Sequence, residues 1–158
     1  GLLTVMCGGD QSVFDLARPV AMAFSRAFTL LGPAGSGQLA KMVNQICIAG
    51  LMQGLSEALA FGEKAGLDGE AVVEVISQGA AGSWQMSNNG RKMISGDKAP
   101  GFFIKHFIKD LAIAQEEGKQ RELNLPILKK TLKMYKKMEE EGKGDLGTQA
   151  LIDLYRES

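Results

Sequence analysis

Between Gln38 and Ala65 the sequence has no proline, no turn signal and little β-branched content. It is therefore expected to fold as one helix of about seven turns. A helix of that length dictates the architecture, because the rest of the chain must pack around it. Asn44, Gln45, Gln53, Ser56 and Glu57 interrupt its apolar stretch, so the run of about 18 apolar residues that a membrane span needs is missing. Apolar on nearly all sides, it reads as the buried axis of a helical domain. Gly50, Gly54 and Ala58 recur every four residues along it, a stripe suited to close approach of another helix in a packed bundle or an interface.

The flanking segments can be read in the same way. "GLLTVMCGGD" reads as a strand and a turn. It has no initiator methionine and no basic flank, and a chain opening in mid-strand without partner strands is expected to be a piece of something longer. Asp10 can cap a short helix to about Phe24, and a second strand is expected near Ala27 to Leu31. Gly66 suits a helix C-cap and Asp68 an N-cap for the helix "GEAVVEVISQ". "GAAGSWQMSNNGRKMISGDKAPGF" reads as irregular, with one or two helical turns. From Ile104 the helical period returns, with Phe107, Ile108, Leu111 and Ala114/Gln115 on one face. Pro126 begins another helix whose inward face is Ile127, Leu128, Thr131, Leu132, Tyr135 and Met138. Lys129, Lys130, Lys133, Lys136 and Lys137 cover its opposite, solvated side. Thr148 is expected to cap a last helix, with Ala150, Leu151, Leu154 and Tyr155 turned inward. The fold class is all-α: a helical bundle around one long buried helix, preceded by one or two strands.

Bulk composition excludes several classes of function. Eighteen basic and 18 acidic residues balance, which removes any charge argument for nucleic acid or an anionic membrane. Cys7 and Cys47 lack metal-ligand spacing, and with a single histidine, His106, no metal site is expected. Free cysteines suit a reduced, cytoplasmic protein.

The motif with chemical content is "GPAGSGQLAKMVNQ". Gly35-x-Gly37-x-x-Ala40 fits a dinucleotide-binding glycine pattern, and Glu57 lies about 20 residues on, where a ribose partner would stand. A Rossmann unit requires a second strand after a short crossover helix, whereas here the long helix simply continues. The glycines therefore read as a hinge-like junction into that helix rather than a phosphate cradle. Lys41 falls in its first turns, where the macrodipole disfavours a cation by about 0.3–1 kcal/mol. Asn44 and Gln45, three and four residues on, can share its face. An ordinary surface lysine also fits the pattern. Further along, Lys109 and Asp110 fit a solvated charge pair and Phe102 a core aromatic. Trp84, the single tryptophan, fits either loop packing or a pocket wall, and His106 a plain helix residue.

Taken together, "GPAGSGQLAKMVNQ", "SEALAFGEKAGLD", "GSW" and "F…KDLAIA" resemble, in order and spacing, the C-terminal half of the β-hydroxyacid dehydrogenase family. That family includes the 3-hydroxyisobutyrate dehydrogenases, the tartronate semialdehyde reductases and, more distantly, 6-phosphogluconate dehydrogenase. The resemblance implies that residues 1–36 are the edge of an upstream dinucleotide-binding domain and 37–158 an all-α substrate and dimerisation domain. It implies Lys41 as catalytic general acid/base. Asn44, Gln45, Trp84, Phe102 and Asp110 would contact substrate, and Lys109 the cofactor. NAD or NADP would be bound mainly by the upstream domain. The expected partners are a small hydroxy acid or its semialdehyde and further copies of the chain, in a homodimer or higher homo-oligomer. Alone, the chain is expected to be inactive. The alternative is a non-catalytic helical dimerisation module of the same ancestry.

Overall fold

The computed structural model describes residues 1–157. The elements in order are β1 (Leu3–Cys7), α1 (Gln11–Met22), β2 (Ser25–Leu30), α2 (Ser36–Lys64), α3 (Gly69–Ser77), a π-helical turn (Met86–Gly90), α4 (Arg91–Ser95), α5 (Ile104–Gln120), α6 (Pro126–Glu140), a 3₁₀ turn (Thr148–Ile152) and α7 (Asp153–Arg156). About 66% of the described residues are helical, and the all-α class expected from the sequence holds. Two compact units are distinguished, Gly1–Gln45 and Ile46–Ser158, and the division falls within the continuous α2.

In the first unit, β1 and β2 form a two-stranded parallel sheet with a register irregularity between Leu3 and Thr4. The partner of β1 is thus the second strand expected from the sequence near Ala27 to Leu31. Parallel strands need a crossover, and α1 supplies it, stacking Phe14 on Phe28 with ring centroids 4.6 Å apart. Asp10 occupies the N-cap position but makes no side-chain cap hydrogen bond. Gly9, with φ at +150°, donates its N–H to Gly32 O at 2.9 Å instead, tying that loop to the one after β2. Gly35, at φ +96°, turns the chain into α2. A side chain at Gly37 would put its Cβ 2.5 Å from Met6 O, so only glycine lets α2 start this close to β1.

The second unit is built on the remainder of α2. Ala49, Met52, Leu55, Leu59 and Ala60 are buried, whereas Cys47, Leu51 and Phe61 are exposed. The helix is therefore an axis buried along one side rather than all round. A Cβ at Gly50 or Gly54 would meet nothing within 4 Å, so the small-residue stripe receives no helix among the described residues and the bundle reading of it fails. Gly66, at φ +77°, closes α2, and Asp68 caps α3 by accepting the N–H of Glu70 at 3.0 Å. The segment expected to be irregular with one or two helical turns contains the π-helical turn and α4. Met86, Gly90 and Met93 are buried there, and this tertiary burial overrides the local serine, asparagine and glycine preferences.

Helices α5 and α6 pack side by side, with Phe107 and Tyr135 edge to face at 5.3 Å. The inward face of α6 begins at Leu128, not Ile127, which is exposed on the first turn. Residues 128, 131, 132, 135 and 138 trace one stripe at the helical period, and 127 lies beside it. The last segment starts as a 3₁₀ turn for which Gly147, not Thr148, is the N-cap residue. Thr148 is buried, and its carbonyl accepts the Tyr135 hydroxyl at 2.8 Å. Chain closure is polar: Arg156 donates to the Glu63 carboxylate and to Met93 O, and Lys98 pairs with Asp153. No helix among the described residues is long and apolar enough to cross a membrane.

Candidate active site

In the first unit, Lys41 lies in the second turn of α2, exposed and without an ion pair among the described residues. Its position follows from the junction: Gly35 sets the direction of the chain and Gly37 sets the approach to β1. One turn later the two amides diverge. Asn44 is exposed and Gln45 only 1% exposed. The Nδ2 of Asn44 donates to Oε1 of Gln45 at 2.9 Å.

The remaining predicted residues belong to the second unit. Phe102 and Asp110 stand eight residues apart at the head of α5, with His106 midway, so the three follow one stripe of the helix and its entry. The His106 ring centroid is 6.4 Å from Phe102 and 5.5 Å from Phe103. Phe102 is 39% exposed, so it is not the core aromatic that composition alone would suggest. Asp110 is buried, and Lys109 reaches its carboxylate at 3.5 Å with its own side chain 68% exposed. Trp84 stands apart from this stripe and makes no ring contact with it among the described residues.

Sequence reasoning passed over the residues that hold Trp84. Ser83 Oγ accepts the N–H of Met86 at 3.0 Å, and Asn88 Nδ2 donates to Trp84 O at 2.9 Å. Asn89 donates to Gln85 Oε1 at 2.5 Å across the π-helical turn. The legible signal is a serine directly ahead of a helical segment, its hydroxyl accepting the N–H three residues on, as an N-cap does. No group of three or more histidine, cysteine or acidic residues that could hold a metal occurs among the described residues.

A helical fold with two leading parallel strands is shared with part of the hydroxyacid dehydrogenases. A crystal structure of 3-hydroxyisobutyrate dehydrogenase from Salmonella typhimurium superposes with a TM-score of 0.87 at 26% identity, covering 96% of this chain and 53% of that one. Residues 35–155 match the family model described as NAD-binding of NADP-dependent 3-hydroxyisobutyrate dehydrogenase, and the chain belongs to that family. An uncharacterized oxidoreductase of Shewanella frigidimarina is 56% identical over 127 residues, 80% of this chain and 44% of its own length. The 2-hydroxy-3-oxopropionate reductase of Escherichia coli is 35% identical over 152 residues, 96% of this chain and 52% of its own. The chain spans about half the length of the curated relatives it matches.

Proposed function

We propose that the chain is the substrate-side half of an NAD(P)-dependent oxidoreductase interconverting a small hydroxy acid with its semialdehyde or keto acid, with Lys41 as general acid/base. The observation that carries this is Lys41 itself, exposed early in α2 with a fixed pair of amides one turn on, in a chain of this family. The nicotinamide cofactor supplies hydride chemistry when bound. The chain's part is the proton. In oxidation the O–H bond breaks and its proton passes to the neutral Lys41 amine as the C=O forms; in reduction the ammonium returns a proton to the carbonyl oxygen. Such a group contributes about 10²–10⁴-fold.

Asn44 orients the substrate oxygen beside Lys41. In the second unit, taken by itself, Phe102, Trp84 and Asp110 are each read as substrate contacts and Lys109 as a cofactor contact. The open edges of the two-stranded parallel sheet support residues 1–36 being the margin of a larger dinucleotide-binding sheet that carries most of the NAD or NADP contacts, with 37–158 the helical domain. On this reading the chain alone is inactive. Exposed Leu51, Phe61, Val75 and Ile76, with the uncovered stripe at Gly50 and Gly54, support self-association through α2 and α3.

The experiment is nicotinamide absorbance with the full-length protein and its Lys41→Ala variant, offered glyoxylate, succinic semialdehyde, tartronate semialdehyde and 3-hydroxyisobutyrate with each cofactor. A fall of roughly 10² or more in a folded variant supports the assignment. Equal activity in both removes Lys41 from the mechanism.

A further inference from the structure

We infer that Gln45 is a positioning residue that fixes which end of the Asn44 amide meets the substrate; this deepens the proposed function and rests on it. The two side chains look equivalent in sequence but differ in the fold. Gln45 is 1% exposed and Asn44 is exposed, so only Asn44 presents its amide to solvent on the Lys41 side of α2.

A primary amide offers an acceptor at one end and two donors at the other, and an unrestrained asparagine presents either by turning about χ2. Here the choice is made. Asn44 Nδ2 donates to Gln45 Oε1 at 2.9 Å, which holds the nitrogen end, one of its two N–H groups engaged, against a buried partner and turns Oδ1 away from that partner. Turning Asn44 over would set its oxygen against the oxygen of Gln45, two acceptors without a hydrogen between them. Two facing acceptors repel, and the Asn44–Gln45 bond is lost.

The outward oxygen suits the hydroxyl form of the substrate. It accepts the hydroxyl hydrogen in the bound alcohol, or an N–H of the Lys41 ammonium once the proton has moved one turn back along the helix. A donor at the same point would compete with Lys41 for the substrate oxygen. Gln45 therefore acts on substrate through Asn44.

The test is a double-mutant cycle in the full-length protein with Gln45→Met, Asn44→Ala and the pair, with Lys41→Ala alongside. Methionine keeps the length of glutamine and removes its acceptor. Gln45→Met should lower kcat/KM roughly tenfold in the Asn44 background, and by less than about twofold once Asn44 is alanine, because coupled residues are non-additive. Equal losses in both backgrounds, or no loss in either, overturn the positioning role. Should Gln45→Met fold poorly, Gln45→Asn, one methylene too short to reach, takes its place. A second readout needs no activity: the downfield side-chain N–H resonance of Asn44 should move upfield in the Gln45 variant, and an unchanged resonance overturns the inference. If Lys41→Ala keeps full activity, the oxidoreductase reading fails while the resonance still reports on the Asn44–Gln45 pair.

Discussion

Tyr135, buried on α6, donates its hydroxyl to the carbonyl of Thr148 at 2.8 Å while its ring meets the edge of Phe107. One side chain thereby ties α6 to α5 and to the closing 3₁₀ turn. Tyr135→Phe keeps the ring and leaves the Thr148 carbonyl unpaired. It is expected to cost about 1–3 kcal/mol, read as a lowered denaturation midpoint without a change in slope.

The same tyrosine predicts alkaline behaviour. Burial pushes the Tyr135 hydroxyl far above the ordinary tyrosine value of 10.0, and burial, with a smaller contribution from Glu57, also raises Tyr155. Above pH 10 the unfolded chain loses these protons and the native chain keeps them, so stability falls as pH rises from there. Tyr135→Phe should flatten that decline. An equally steep alkaline decline in the variant would contradict it.

At the acidic end the clamp is Glu63 with Arg156. The guanidinium holds the Glu63 carboxyl below its ordinary value of 4.5. Its contribution is present above that value and lost as pH falls through the depressed one. Glu63→Gln should cost about 0.2–1 kcal/mol near neutrality, because solvent screens a pair this exposed, a fall in Tm of at most about 2–4 °C for a domain of this size, and nothing further in acid. A variant as stable as the parent at pH 7 would remove the clamp from the energetics.

Gly37→Ala tests the junction. Its Cβ would stand 2.5 Å from a backbone oxygen of β1, so α2 must shift or the strand must yield, at a cost of about 1–3 kcal/mol. Because Lys41 is one turn downstream, kcat should fall together with Tm, and a variant with both unchanged would contradict this.

How much of this was legible depended on whether the deciding contact was local. Gly66 and Asp68 mark helix ends by their own backbone preferences, and both did so where the sequence indicated. The stripe from Leu128 to Met138 follows from period alone. Misjudged residues answer to distant partners. Asp10 stands at the N-cap position without a side-chain cap bond, and the loop there is held by Gly9 bonded across to Gly32. Thr148 is drawn inward because Tyr135 takes its carbonyl. The π-helical turn forms under a burial that its polar letters conceal. At the candidate site, Lys41 and its two amides were visible as a spacing, but their division into an outward asparagine and a buried glutamine is a property of packing.

The two-stranded sheet has a consequence for handling the chain. A parallel pair this small is not stable by itself, and each strand offers an outer row of N–H and C=O groups to any extended segment nearby. Leu2 and Leu3, 86% and 59% exposed, sit at that margin. Produced at high concentration in this length, the molecule should clump through strand addition at its amino end, and charged residues at positions 2 and 3 should keep it dispersed without touching the helices.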